Sequence, residues 1–164
     1  MNSYWNRVIG TTRKSSRWSA ILVATLALAS SVLIRATAKE PTVDELKARV
    51  SSTNIGDRPH LCLQIAERQL LEADKLYAAV ESEKAQATLT DVVAFSELAR
   101  DYSLQSHKHQ KQTEIAVRRM TRKLTDLKHV VTHEEQAAVQ NAIDKLERVR
   151  DDLLLAMFPK KGDK

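Results

Sequence analysis

Four of the five histidines lie in one part of the sequence, and they are the first residues to suggest chemistry. His129 and His133 are four residues apart, the spacing that places two imidazoles on one helix face as metal ligands. His107 and His109 are two apart, which points them about 200° apart on a helix, so they could share an ion only within a loop. Because tight metal sites need about four converging ligands, we expect solvated or helix-capping histidines, with no metal or cofactor.

The only cysteine, Cys62, cannot form a disulfide within the chain, so the fold must depend on packing alone. It follows His60 in an H-x-C pair, a spacing that does not suit one helix face. The simplest expectation for Cys62 is a small residue near the core. A free thiol in an oxidising compartment could alternatively link two chains, which leaves a homodimer open.

Sequence motifs of the common enzyme classes are missing. The chain has no G-x-S-x-G nucleophile elbow, no phosphate-binding glycine loop, no H-E-x-x-H zinc motif and no C-x-x-C-H haem site. No glutamate stands three residues before a histidine, as di-iron helical bundles require. Adjacent carboxylates such as Glu134 and Glu135 diverge on a helix and usually serve the helix dipole and solvent. We therefore expect a protein that is not an enzyme.

The first 38 residues have the three parts of a secretory signal peptide. Basic residues between Arg7 and Arg17 precede a charge-free, mostly apolar run at 19–34, and the small triplet Ala36-Thr37-Ala38 follows. We predict cleavage after Ala38 and export to the periplasm or the cell exterior. The alternative is an uncleaved membrane anchor, which would confine membrane contact to this segment, although the run is shorter than the ~20 apolar residues of a typical span.

The net charge of +5 belongs to that segment. It holds five of the 26 basic residues and no acidic one, so 21 basic and 21 acidic residues follow Ala38. A neutral, exported chain has no electrostatic reason to bind nucleic acid, and we exclude that class of partner.

Neither glycine nor proline occurs between Pro59 and Pro159, which favours long helices joined by polar turns. Apolar residues in this stretch recur at alternating spacings of three and four, the pattern of helices with one apolar seam. The predicted seams are Leu63, Ala66, Leu70, Ala73, Tyr77 and Val80; Val92, Phe95, Leu98 and Tyr102; Val117, Met120, Leu124, Leu127 and Val131; and Val139, Ala142, Leu146, Val149, Leu153 and Ala156.

Local signals suggest where these helices begin and end. Two capping boxes predict helix starts, one at Thr42-Val43-Asp44-Glu45 and one at Thr132-His133-Glu134-Glu135. A turn is expected at 81–83, with Ser82 as the helix cap, in preference to a turn at 88–91. The polar stretch 105–113 is either a turn or the middle of one long helix. We favour the continuous helix because the stretch contains no Gly, Pro, Asn or Asp.

Together these signals predict an all-α fold. We expect antiparallel helical hairpins over residues 59–158, forming a bundle of three or four long helices with coiled-coil-like packing. Residues 39–58 are expected to be a linker with a short helix, and residues 159–164 a flexible tail. No internal repeat is strong enough to indicate a solenoid.

Charge is segregated along the predicted helices, because residues 107–131 carry seven basic and two acidic side chains between net acidic flanks. This segregation favours a basic helix packed between acidic neighbours, or else a surface for an anionic partner. We expect an exported, non-enzymatic helical protein that acts as a binding or scaffold module in the cell envelope, with a protein or envelope component as partner. The alternative is a metal-binding, stress-response or chaperone-like bundle that uses the His107–His133 region.

Overall fold

Helices account for 83% of residues 40–159, the part of the chain that the computed structural model describes, and this part contains no strand. The five helices are α1 (Val43–Ser52), α2 (Arg58–Ala78), α3 (Ser82–Ser106), α4 (Gln110–Lys128) and α5 (His133–Met157). They pack on one another within one compact unit that begins at Pro41, so the predicted all-α class is confirmed.

Three predictions concern residues beyond this range. The signal peptide at 1–38, its cleavage site at Ala38 and the tail after Pro159 lie outside the described residues. Within 40–159, none of the helices combines the length and the apolar character needed to cross a membrane.

Both predicted capping boxes begin a helix. The N–H of Thr42 donates to Oε2 of Glu45 at 2.9 Å, and the N–H of Glu45 donates to Oγ1 of Thr42 at 3.2 Å. At the start of α5, the N–H and the hydroxyl of Thr132 donate to Oε2 of Glu135 at 2.9 and 2.8 Å. Such bonds fix the entry of the chain into a helix, and the two predicted helix starts are confirmed.

The first helix, α1, lies in the segment expected to be a linker and packs into the common core. Leu46 is fully buried and Val50 is buried, and both belong to the common core as α1 packs against α2. Lys47 forms an ion pair with Asp91 of α3 at 3.1 Å and lies over the ring of Phe95. Two apolar side chains one helical turn apart give even a short helix a face to bury, which is why this segment packs instead of acting as a tether.

The expectation of one continuous helix through 105–113 is wrong. The α3 helix ends at Ser106 and α4 begins at Gln110, with His107 and His109 in left-handed conformations at φ 54° and 61°. Histidine is among the residues that tolerate this region better than most, so a turn forms here without glycine. Beside it, the buried hydroxyls of Ser103 and Thr113 share a hydrogen bond of 2.8 Å that joins the two helices.

The favoured turn before Ser82 is present, but its details differ from the prediction. Glu81 is the N-cap of α3, and the hydroxyl of Ser82 donates instead to Glu135 of α5. Val80, predicted to continue the apolar seam of α2, lies in the turn with 83% of its surface exposed.

Two helical hairpins lie side by side in the same orientation. The turn at 79–81 pairs α2 with α3, and the turn at 129–132 pairs α4 with α5. The α3 and α5 helices run parallel, because Ser82 bonds to Glu135 near their starts and Arg100 pairs with Asp152 at 2.8 Å near their ends. Their hairpin partners α2 and α4 therefore also run parallel.

The burial pattern of α3 repeats in α5, although the residue types do not. The seven buried positions of one helix correspond in order, at a constant sequence separation, to the seven of the other. They are Ala85, Leu89, Val92, Val93, Ser96, Ala99 and Ser103 in α3, and Glu135, Val139, Ala142, Ile143, Leu146, Val149 and Leu153 in α5. A search for repeated residues does not detect this correspondence, because the small side chains of α3 have larger side chains at the matching positions of α5.

The predicted seam of α3 is therefore only partly right. Val92 is buried, but Leu98 is exposed, and Phe95 and Tyr102 are half-buried. Instead, the core face of α3 contains alanine and serine. The hairpins contact each other mainly through α3 and α5, and contacts between α2 and α4 are sparser. This asymmetry leaves a groove on the α2 and α4 side.

Candidate functional site

The structure does not gather the four candidate histidines into a metal site. His107 and His109 are exposed in the turn between α3 and α4, while His129 and His133 flank the next turn and are exposed as well. Within residues 40–159, no group of three or more His, Cys, Asp or Glu side chains is placed to hold a metal ion. His60 is also exposed, and its Nε2 lies 3.0 Å from the amide nitrogen of Gln64.

Cys62 is fully buried in α2 as a core residue. Burial raises the pKa of its thiol to about 11, and the nearby charge of Arg58 opposes this only in part. Since the thiolate is the reactive form, Cys62 is a poor nucleophile at neutral pH. A side chain without surface exposure is also not available to link two folded chains, so the interchain disulfide is not supported.

A concave surface lies between α2 and α4. Three adjoining cavities of about 320, 380 and 250 Å³ follow the seam between these helices. The first two share Leu70, Leu71 and Lys123, and the first and third share Asp74, Leu127 and Val130. Because neighbouring cavities share their walls, they form one continuous surface, which we call the α2–α4 groove. Its remaining lining residues are Glu67, Arg119, Met120, Asp126, Tyr77, Ala78, Val80, Val131, Thr132 and Glu135.

Apolar side chains stand exposed along this groove. Leu71 is 51% exposed, Val130 78% and Val80 83%, while Leu70 and Leu127 form a buried floor. Single apolar residues on a surface are ordinary, but contiguous ones around a concavity are typical of binding sites. The groove is therefore the part of residues 40–159 that is best suited to an apolar ligand.

The backbone at Val80, on the rim of the groove, has a conformation that is unusual for valine. Its φ of 62° is in the left-handed region, where a β-branched residue is a true outlier. Glycine would adopt this conformation without cost, and the exposed valine side chain contributes little to the core. This left-handed residue ends α2, because the N–H of Val80 donates to the carbonyl of Tyr77 at 3.0 Å and the N–H of Glu81 donates to the carbonyl of Leu76 at 2.9 Å. Val130 is a second exposed valine, in the corresponding turn of the other hairpin.

Tyr77 places a buried polar group in the wall of the groove. The residue is only 8% exposed, and its hydroxyl has no hydrogen-bond partner within the described part of the chain. Burial, together with the negative charge of Glu135, raises the pKa of Tyr77, so the hydroxyl stays protonated. Buried hydroxyls almost always have a partner, so the Tyr77 hydroxyl is an exception among the described residues.

Glu135 is the charged neighbour of Tyr77 at the end of the groove. The hydroxyl of Ser82 and then the N–H and hydroxyl of Thr132 donate to its carboxylate, and these bonds lower the pKa of Glu135. The carboxylate is therefore ionised at neutral pH and carries a fixed negative charge beside the Tyr77 hydroxyl.

The remaining charges divide the groove along its length. Glu67 and Arg119 form an ion pair from opposite walls at one end. Lys123 follows, and then Asp74 and Asp126 face the central cavity from opposite helices. These last three side chains form no ion pair with any residue of the described range.

Sequence reasoning missed this site, although one signal was present. Leu71 follows the seam residue Leu70 directly and lies off the predicted seam of α2, and Val130 precedes Val131 in the same way. An apolar residue next to a seam indicates a second apolar face, but the sequence does not tell which helix lies opposite. No protein-family model, curated protein or solved structure matches this chain, so its function must be argued from the groove itself.

Proposed function

We propose that this chain is an exported, non-enzymatic binding module of the cell envelope, which binds a helical segment of a partner protein in the α2–α4 groove. The observation that carries the proposal is the row of exposed apolar side chains at Leu71, Val80 and Val130. Export is supported by the signal-peptide pattern at 1–38, and on this proposal a bundle of hairpins over 59–158 is the rigid body that presents the groove.

The dimensions of the groove suit a helix. The α2 wall extends from Glu67 to Ala78, which is roughly 16 Å at the α-helical rise, or three turns. An amphipathic helix can lay its apolar face in such a groove, with anchor residues at helical spacing. The apolar floor and the polar rim also match the anatomy of protein interfaces, where an apolar centre is surrounded by charges.

Site-specific photo-crosslinking in the cell envelope tests this proposal. A photoreactive amino acid at Leu71 is expected to form discrete adducts, whereas one at Glu147, an exposed residue of α5 outside the three cavities, is not. The double substitution Leu71→Glu and Val130→Glu adds charge to two exposed positions, so it should preserve the fold while it abolishes adducts from a photoreactive residue at Val80.

Two results would contradict the proposal. Equal adduct patterns from positions 71 and 147 would show that the groove has no special role. Recovery of the chain in the cytosol with its N-terminal segment intact would contradict export, and an N-terminus at Lys39 in the envelope fraction is the expected result. Circular dichroism of each variant confirms that a lost adduct does not reflect a lost fold.

A further inference from the structure

We infer that the partner helix carries a lysine or arginine on its groove-facing side, and that this cation binds between Asp74 and Asp126, beside Tyr77. The inference rests on the proposed function and adds the chemistry of the partner to it. Three features of the groove support it, and each involves different atoms.

The first feature is the pair of carboxylates in the central cavity. Asp74 belongs to α2 and Asp126 to α4, and both are exposed on the walls of the same 320 Å³ cavity. Nearby carboxylates of the same helices are paired, since Glu67 bonds to Arg119 and Glu72 to Lys75. Two unpaired negative charges across an apolar floor favour a ligand that brings one positive charge and an apolar body.

The second feature is the unpartnered Tyr77 hydroxyl. Tyr77 and Asp74 line the adjoining cavity together, so the hydroxyl lies near the acidic part of the groove. A tyrosine oxygen can accept a hydrogen bond, and a lysine ammonium or arginine guanidinium has only donors to offer. Glu135 lines the same cavity and adds a third negative charge. A cation here would pair with the carboxylates, and its positive charge would interact favourably with the oxygen of Tyr77, which has no hydrogen-bond partner within residues 40–159.

The third feature is the position of Lys123. It precedes Asp126 by one helical turn and lies toward the Arg119 end of the groove. A basic residue of the partner is therefore repelled from that end and attracted to the end near Val80 and Val130. This polarity orients the helix in the groove, with its cation beside Asp74 and its apolar residues against Leu71 and Val130.

Designed peptides test the inference on the processed protein purified from the envelope fraction. Each peptide has about 14 residues, or four helical turns, with leucines on one face. The three peptides differ only at one central position on that face, which is Lys, Gln or Glu. Dissociation constants come from fluorescence anisotropy. We expect the Lys peptide to bind about tenfold more tightly than the Gln peptide, because only the Lys peptide brings a positive charge to the two carboxylates.

Matched variants assign the preference to the groove. In Asp74→Asn with Asp126→Asn, the Lys and Gln peptides should bind with similar affinity, whereas Asp151→Asn, at an exposed residue of α5 outside the three cavities, should keep the tenfold difference. Tyr77→Phe should reduce the preference by a smaller factor. Added salt should shrink the difference between the Lys and Gln peptides in the unsubstituted protein.

The possible results separate the inference from the proposed function. Equal binding of the Lys and Gln peptides, abolished by Leu71→Glu with Val130→Glu, would overturn the inference and leave the groove as a binding site. No binding of any peptide would contradict both. Light scattering of the same samples checks for a second copy as the occupant, because a dimer that dissociates in the Leu71→Glu and Val130→Glu variant would overturn the inference.

Discussion

At the scale of single residues, the unpartnered hydroxyl of Tyr77 destabilises the fold. A buried hydroxyl without a partner costs about 1–3 kcal/mol. Tyr77→Phe removes the hydroxyl and keeps the ring, so we expect the free energy of unfolding to rise by about 1 kcal/mol. Urea unfolding with an unchanged m-value checks this. A decrease of 1 kcal/mol or more in the free energy of unfolding would mean that the hydroxyl has a hydrogen-bond partner in the free protein. It would then contradict a role of this hydroxyl in ligand binding.

Val80 also lowers the stability of the fold, and here the cause is backbone strain at a positive φ. Val80→Gly removes the cost of a left-handed β-branched residue, of order 1–3 kcal/mol, and adds a smaller entropic cost of glycine. We expect a net gain of about 1 kcal/mol in the free energy of unfolding, together with weaker binding in the groove. Val130→Gly is the control, because Val130 is exposed to a similar extent and has no positive φ. It should weaken binding without any gain in stability, and equal stability changes in the two variants would argue against strain at Val80.

At the scale of secondary-structure elements, α1 shows what a local signal can and cannot predict. The capping box at Thr42 correctly predicted a helix, because all of its hydrogen bonds lie within four residues. The same residues do not reveal that Leu46 is buried under tertiary packing. The start of α1 was therefore predictable, whereas the docking of the helix was not.

The role of α1 can be measured through its buried leucine. Leu46→Ala should lower the free energy of unfolding by about 3 kcal/mol, as expected for a leucine in a packed core. Val43→Ala, at a half-buried position of the same helix, should cost less than half as much. Chemical denaturation of both variants provides the comparison. A loss below 0.5 kcal/mol for Leu46→Ala, the size of an ordinary surface substitution, would restore the interpretation of this segment as a linker.

The turn at 107–109 was missed for a physical reason that applies beyond this chain. Turn prediction depends on Gly, Pro, Asn and Asp, and this turn uses two histidines in the left-handed region instead. The hydrogen bond between Ser103 and Thr113 lies beside the turn, but it involves residues that a helical pattern treats as polar surface. The sequence alone does not distinguish a serine and a threonine that are buried together from two that are exposed to solvent. The choice between one helix and two could not be made from composition.

At the scale of the whole molecule, the groove arises from how the two hairpins meet. The hairpins meet mainly through α3 and α5, whereas α2 and α4 contact each other less. No sequence pattern within one helix encodes this, because Leu71 and Asp74 belong to one hairpin and Asp126 and Val130 to the other. The class of fold, the two capping boxes and the turn near Ser82 could be predicted, whereas the candidate site required the arrangement of the hairpins.

One contact between the hairpins makes stability depend on pH. The Glu135 carboxylate accepts hydrogen bonds from Ser82 of the first hairpin and from Thr132 of its own, which hold its pKa below 4.5, the value for an unperturbed glutamate. The folded chain binds this proton more weakly than the unfolded chain does. The carboxylate therefore stabilises the fold fully above pH 4.5, and this contribution is lost as the pH falls through the lower, folded value.

Glu135→Gln tests whether the charge of Glu135 causes this pH dependence of stability. Glutamine still accepts hydrogen bonds but cannot carry charge, so the variant should be less stable than the unsubstituted chain at neutral pH and equally stable in acid, where Glu135 is protonated. Urea unfolding at the two pH values provides the measurement. Ser82→Ala serves as a control for the link between hairpins, because it removes one of the donors and leaves the cap at Thr132 intact, so it should lower the pH dependence only in part. The same destabilisation by Glu135→Gln at both pH values would assign its role to packing at the turn, with no contribution from its charge.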